Sequence, residues 1–284
     1  MEGHGVRVRR ATRDDLEFIL EVVTDEDVRP FLAAGGAFHG EALLAELEQQ
    51  EREPAAFGRF VIEVREGKEW RRAGTMGFER VNRRSRIAHL ERLAVHPHFR
   101  GRHLGDDAAR LFQRHLIFDL GFHRLQMEIY GYNERAQRHA ERAGWIKEGV
   151  KRKAYRRDDE WIDSVMYGLV REDLEGMNVL DEHVERFNAG IRSGDFAPML
   201  EPFADDAEMV FEGVPVGPFV GQDAIAQAYR EQPPDDELDV LDVRREGDTF
   251  VAGYAWRRQP DKRVGELRLT VEGALITRLI VTFD

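Results

Sequence analysis

The segment LERLAVHPHFRGRHLGDDAARLF, residues 90–112, constrains this chain most. An apolar strand gives way to an Arg/Gly-rich turn, and the turn opens a helix. Backbone N–H groups of such a turn and of the helix N-terminus converge on one point, where the helix dipole also favours negative charge, so the segment has the geometry of a phosphate site. An ordinary strand-to-helix turn is the alternative for the segment taken alone. Asp106 and Asp107 suit a first helical turn without any ligand.

At 284 residues the chain exceeds the roughly 100–200 residues of one ordinary domain, so two domains are expected. With 42% hydrophobic and 34% charged residues it should pack as a globular protein. No run approaches the about 18 apolar residues of a membrane span, and the N-terminus lacks an apolar signal region, so the expectation is a soluble cytoplasmic protein with no membrane partner. The chain has no cysteine, which excludes disulfides, thiolate zinc sites, iron–sulfur clusters and cysteine nucleophiles. Charge is unevenly spread: 31 basic residues face 32 acidic ones up to Gly176, and 11 face 22 from Met177 on. Neither half has the basic excess that nucleic acid requires, and a cationic substrate fits the field better.

In the first half, strand and helix patterns alternate. VRVRRAT reads as a strand, Thr12 as the cap of a helix reaching about Val23, and Gly40 to Gln50 as a second helix. Two strands, 57–65 and 72–82, join through Glu66-Gly67-Lys68. IAHLERLAVHP follows as a strand ending at Pro97, then a helix over 106–120, the strand HRLQMEIYGY, a helix over 134–143 and strands near 144–151 and 161–170. REDLEGMN, residues 171–178, reads as a short stiff join. The expected domains are residues 1–173 and 178–284, with 174–177 between them. The second half shows helices first and an antiparallel sheet afterwards, an α+β pattern.

Arg100-Gly101-Arg102-His103-Leu104-Gly105, after a strand ending Leu93-Ala94-Val95-His96-Pro97, resembles the acetyl-CoA signature of the GNAT superfamily of N-acetyltransferases. The stretch from Gly121 to Val170, with its strand, Asn133, helix, Gly144-Trp145, Glu148-Gly149 and Asp163, resembles the RimJ/RimL and spermidine-acetyltransferase branch. The resemblance covers about residues 6–173 and implies an α/β acyltransferase fold around a central mixed sheet. It departs at His103, which stands where the signature has its first glycine and adds a Cβ and a ring while keeping the N–H. The resemblance implies acetyl-CoA as co-substrate, with amides of Leu93 and Val95 on either side of Ala94 holding the pantetheine arm. Amides of Arg100, Gly101, Arg102, His103, Leu104 and Gly105 would cradle the pyrophosphate, and Asn133 would contact the arm.

An amine with a pKa of about 10.4 is neutral in fewer than about one molecule in a thousand at pH 7, so attack on a thioester needs a base or a desolvated site. Period-2 alternation places His89, Glu91, Leu93 and Val95 on one face, and Glu128 opposite the apolar Leu125, Met127 and Ile129. His89 stands where some family members carry a catalytic glutamate, and Glu128 matches the glutamate of ribosomal-protein acetyltransferases. Glu128, Glu91 and His89 are the candidate bases. The alternatives are that His89 and Glu91 pair with Arg92 or Arg86 and that Glu128 faces solvent. Ala140 stands where many family members have a proton-donating tyrosine, which leaves Tyr130, Tyr132, Tyr155 or water for that role. His96 and His98 lack a third ligand, so no metal is expected.

From about residue 178, SGDFAPMLEPFADDAEMVFEG, FVGQDAIAQAYR and four strands resemble the SnoaL-like and ketosteroid-isomerase-like members of the nuclear-transport-factor-2-like superfamily. The resemblance implies a cone-shaped α+β barrel with a pocket at its open end. Glu212 and Glu266 fall near the isomerase's two acids, Phe187 replaces its phenolic tyrosine, and Tyr254 and Trp256 are candidate pocket residues. Without the phenol the oxyanion pair is incomplete, and isomerase activity is not expected. The reading is an acetyltransferase acting on a small-molecule or peptide amine, working as a homodimer. Its competitor is a non-catalytic sensor of acyl-CoA or a small ligand, and turnover separates the two.

Overall fold

FGRFVIEVRE, residues 57–66, is buried over its first eight positions and runs through the middle of a sheet in the computed structural model. That structure describes residues 1–284 apart from His4, residues 33–38, Arg102, His103, Asp158 and Asp261. It divides into two units, Met1–Arg171 and Glu172–Asp284.

The first unit contains β1 (Glu2–Gly3), β2 (Val6–Arg10), α1 (Leu16–Thr24), α2 (Gly40–Arg52), β3 (Phe57–Glu66), β4 (Glu69–Asn82), β5 (Ile87–Val95), α3 (Leu104–Arg114), β6 (Arg124–Tyr130), α4 (Glu134–Arg142), β7 (Ile146–Arg157) and β8 (Glu160–Val170). The sheet order is β1-β2-β3-β4-β5-β6-β8-β7, and every pairing is antiparallel except β5 with β6. The mixed sheet is the one expected. β5 stops at Val95, two residues before the expected Pro97, because proline has no N–H to donate and starts a 3₁₀ turn over Pro97–Phe99. The helix expected over 106–120 begins at Leu104, and its last turn, His115–Asp119, has π geometry.

The most deeply buried carboxylate of this unit among the described residues is paired. Asp15, fully buried, accepts from Arg9 at 2.7 and 2.8 Å and from the Thr12 N–H at 2.8 Å. Burial pushes its carboxyl up, but the Arg9 fork and the Thr12 donors outweigh that and hold it at about 2. A depressed carboxylate stabilises the fold above its unfolded pKa of about 3.8 and loses that contribution as pH falls through 2. Urea unfolding at pH 6 and at pH 2 should therefore show an acid-induced loss that is about 2 kcal/mol smaller in Asp15→Asn than in the parent. Equal losses in both would remove Asp15 from the account.

The second unit continues from α5 (Arg171–Ser193) into α6 (Ala197–Leu200), β9 (Phe203–Phe211), β10 (Phe219–Val220), α7 (Gln222–Glu231), β11 (Leu238–Glu246), β12 (Thr249–Trp256), β13 (Arg263–Glu272) and β14 (Leu275–Val281). The join expected at 174–177 is corrected: those residues lie inside α5. Helix-forming charged residues and Glu172 and Asp173 in the first turn favour that continuity, and the face of Gly176 is filled by the Phe250 ring. The sheet order is β10-β9-β14-β13-β12-β11. The expectation of an antiparallel sheet is corrected at one place, because β14 pairs with β9 in parallel. Its core includes Leu180, Met199, Phe203, Met209, Ile225 and Ile276.

Candidate active site

β5 and β6 are neighbours for only three residue pairs, Ile87 with Arg124, Ala88 with Leu125 and His89 with Gln126. Beyond His89 the two parallel strands part. Their separation opens a cavity of about 530 Å³, lined by Leu90 to Val95 on one side and Met127 to Tyr130 on the other. His96 N–H donates to Ala73 at 2.8 Å, and from there the antiparallel alternation turns the N–H of Val95 away from β4.

β5 also carries a bulge. Ala94 pairs with Thr75 and Glu91 with Gly77, so Arg92 and Leu93 oppose the single residue Met76. Arg92 takes the left-handed conformation, φ 57°, which a side chain adopts only where surroundings enforce it. Glu46 on α2 supplies that constraint, pairing with Arg92 Nη1 at 2.8 Å. The bulge corrects the expected alternation. His89, Glu91 and Ala94 oppose Glu79, Gly77 and Thr75 on one face, whereas Val95 opposes Gly74 on the other.

Arg59, Gly77 and Glu91 form one row across β3, β4 and β5. The Arg59 side chain, 2% exposed, passes over Gly77 to reach Glu91 at 2.7 Å, and it also holds Glu46 at 2.7 Å. A Cβ on residue 77 would overlap Arg59 Nη1, so glycine is required there. Burial depresses the Arg59 guanidinium, but Glu46 and Glu91 outweigh it and keep the charge in place. Burial likewise raises Glu46, and its two arginines more than reverse the effect. Sequence reasoning found Glu91 and missed Arg59 and Glu46, because only strand register brings the three together.

Glu128 is also engaged. Its Oε2 accepts from Tyr155 Oη at 2.8 Å and from Ser164 Oγ at 3.0 Å, while Lys151 binds Oε1. A second bulge makes this possible: Lys151 opposes Ser164 and Tyr155 opposes Ile162, leaving three residues of β7 against Asp163. Lys153 within it has φ 51°, and its N–H donates to Asp163 at 2.7 Å. Burial raises the Glu128 carboxyl, but the three donors lower it more, so it is ionised at neutral pH. Tyr155 is pushed up to about 12, first by burial and then by the Glu128 carboxylate. Glu128→Gln should therefore bring the Tyr155 phenol back toward its ordinary value of about 10. Phenolate absorbance titrated from pH 8 to 12 should gain one earlier-ionising tyrosine in the variant. An unchanged titration would break the link.

His89, by contrast, lines the cavity with no hydrogen-bond partner on its ring among the described residues. Of the three candidate bases it alone is not committed to a cation.

The other end of the cavity is built by the turn after β5. Arg100 donates to the Val95 carbonyl at 3.2 Å and faces Asp27 at 3.3 Å, and Gly101 has φ 79°, open to glycine without strain. Leu104 and Gly105 follow on α3, with the His139 ring 3.3 Å from where a Cβ of Gly105 would stand. Arg102 and His103 lie outside the described residues. Asn133 caps α4 by accepting from the Ala136 N–H at 3.1 Å, and its side-chain Nδ2 has no partner among the described residues. Asp106 is held by His139 and by Arg142 at 3.0 Å. Arg135, His139 and Arg142, all lining this end, were not singled out in the sequence; their i, i+4, i+7 spacing on α4 is the signal that points to them. Open amides, a left-handed glycine and surrounding cations suit the polyanionic end of a nucleotide-containing thioester. No group of three His, Asp or Glu among the described residues is arranged to hold a metal. No helix of the described residues is long and apolar enough to cross a membrane.

The five residues singled out in the second unit do not converge. Phe187 and Tyr254 are buried in the core, and Trp256 packs edge-on against Tyr254 at 5.5 Å. Glu212 is exposed just beyond β9. Glu266 alternates with the core residues Gly265 and Leu267 and is bound by Arg244 at 2.8 Å and Arg263 at 2.9 Å. Those arginines hold its carboxyl low, with Arg244 the main cause. The expected shared pocket is thereby corrected, since strand alternation puts Glu266 and Tyr254 on opposite faces.

Residues 6–146 match the model of the acetyltransferase (GNAT) domain, and residues 184–279 that of the SnoaL-like domain. An uncharacterised prophage-derived N-acetyltransferase of Bacillus subtilis is 26% identical over 83 residues, 29% of this chain. The match spans 47% of that relative, about half its length. A crystal structure carrying the provisional description of an acetyltransferase is 31% identical, with 62% of this chain and 91% of that one covered at a TM-score of 0.50. Spermidine N-acetyltransferase from Vibrio cholerae, in complex with CoA and spermine, has a TM-score of 0.52 at 17% identity over 60% of this chain and 98% of that one. The latter likeness is one of fold.

Proposed function

Given that the chain belongs to the GNAT acetyltransferase family through its first unit and carries a SnoaL-like domain in its second, we propose that it transfers an acetyl group to a primary amine bound where β5 and β6 separate. Members of that family use acetyl-CoA as co-substrate. The observation that carries the proposal is the parting of β5 from β6 at His89, which leaves strand edges open beside the glycine turn and α3. The Val95 amide binds the pantetheine arm along the open edge of β5, with Leu93 and Ala94 beside it. Arg100, Gly101, Leu104 and Gly105 receive the pyrophosphate, and Asn133 meets the arm from α4.

His89 takes the ammonium proton, because Glu91 and Glu128 are already ion-paired anions whose role is to orient it and the amine. The amine nitrogen then bonds to the thioester carbonyl carbon, the carbon–sulfur bond breaks, and the leaving thiolate is protonated. Tyr155 lines the cavity and carries its proton at neutral pH, so it supplies that proton in place of the tyrosine absent at Ala140 and is reprotonated by the nitrogen as the amide forms. Amine-dependent release of free CoA thiol by the full chain tests the proposal. The chain has no cysteine to interfere with the thiol reagent.

For the second unit we infer the cone-shaped form of the SnoaL-like fold acting as a binding or dimerisation module. Burial of Phe187 and ion-pairing of Glu266 speak against isomerase chemistry. A cytoplasmic homodimer is the working form that goes with this reading, and light scattering on the full chain tests the stoichiometry.

A further inference from the structure

Each carboxylate that lines the first unit's cavity, among the described residues, is already bound to a cation. Asp27 faces Arg100 at 3.3 Å, Glu91 faces Arg59 at 2.7 Å, His139 and Arg142 hold Asp106, and Lys151 holds Glu128. A second ammonium group on an acceptor would meet carboxylates whose charge is already offset by a cation and would gain less from them than from free anions. The acidic excess that favoured a cationic substrate lies from Met177 onward, outside this cavity's lining.

Near Glu128 the cavity is aromatic. Phe31, Tyr130 and Tyr155 line it. Tyr132 stacks on Tyr130 at 5.5 Å with 19° between the rings and lies 5.9 Å from Phe31, while Tyr155 meets Tyr130 edge-on at 5.6 Å. Among the rings that line the cavity, Phe31 is 45% and Tyr155 38% exposed, while Tyr130 is buried and holds Tyr132 against its face outside the lining. Arg157 lies 5.7 Å over Tyr130 and donates to Tyr132 Oη at 3.0 Å, fixing the rings and adding positive charge beside them. The Arg157 charge opposes a further ammonium group at these rings, and a flat uncharged body is favoured by stacking.

Resting on the acetyltransferase reading above, we propose that the acceptor is a primary monoamine with a flat aromatic body, an arylalkylamine in chemical class. Its ring lies against the exposed face of Phe31 with Tyr130 and Tyr155 beside it, and its amine reaches His89 and Glu91. Its ammonium gives one proton to His89, the freed amine bonds to the carbonyl carbon as the carbon–sulfur bond breaks, and the second proton shed by the nitrogen balances the one taken up by the leaving thiolate, so no further reactant is needed.

Steady-state release of CoA thiol by the full chain, with acetyl-CoA and either 2-phenylethylamine, spermidine or a short peptide as acceptor, tests this. The expected kcat/KM for 2-phenylethylamine is at least about tenfold above that for spermidine. Phe31→Ala, at an exposed position, should raise KM for 2-phenylethylamine about five- to tenfold and leave its kcat and the thermal shift with acetyl-CoA unchanged. Spermidine or the peptide turned over as well as the aryl amine, or an unaltered KM in Phe31→Ala, overturns the proposal and leaves the acetyltransferase reading intact. No turnover of any amine overturns both.

Discussion

Arg59→Met is expected to destabilise the chain by about 3–5 kcal/mol, the cost of removing one member of a buried ion pair and stranding the other charges. Arg59 is the hub that joins α2 to the row across β3, β4 and β5 through Glu46 and Glu91. Without it, two carboxylates are left facing a methionine, and Glu46 retains only Arg92. Gly77→Ala attacks the same row sterically: its Cβ overlaps Arg59 Nη1 and stands 2.9 Å from the Gly58 carbonyl, and the locked guanidinium cannot retreat without giving up Glu46 or Glu91. Urea unfolding measures both. Parent-like midpoints in both variants would mean that the row is not what holds the β5 bulge. Retained stability with impaired turnover in Gly77→Ala would instead assign the row to orienting Glu91.

His89→Gln should lower kcat by about a hundredfold or more, the usual contribution of a positioned general base, with little change in acetyl-CoA binding. Steady-state release of CoA thiol measures it. Parent-like kcat in His89→Gln together with a loss of about a hundredfold in Glu91→Gln would transfer the role to Glu91.

The turn after β5, the mixed α/β order and the two-part organisation were legible in the sequence because each rests on local pattern: glycine and proline at a strand end, alternation in strands, helical periodicity. The arrangement of the site was legible only in part. Alternation presupposes an uninterrupted strand, so the bulge at Arg92 was invisible to it, and with it the separation of Val95 from the face of His89 and Glu91. The same limit applies on β7, where the bulge at residues 152–154 aims Lys151 and Tyr155 at Glu128 and turns a candidate base into a saturated anion. Arg59 and Glu46 lie 32 and 46 residues from Glu91 and Arg92, the residues they touch on β5, and read as ordinary surface charges; register alone reveals them. In the second unit, alternation did carry the information that Glu266 and Tyr254 face opposite ways, but a likeness of order along the chain outweighed it. The join at 174–177 was misjudged because a dense run of charge suits a solvated helix as well as a loop.

The most direct test of the central claim is thermal unfolding of the full chain with and without acetyl-CoA, beside Ala136→Trp, which fills the cavity between α3 and α4. At a ligand concentration about a hundredfold above Kd, selective binding adds about 2.7 kcal/mol, a rise of a few degrees in Tm. The account predicts that rise in the parent and its loss in a folded Ala136→Trp. An unshifted parent, or an equal shift in both proteins, would contradict binding of acetyl-CoA in the cleft between β5 and β6.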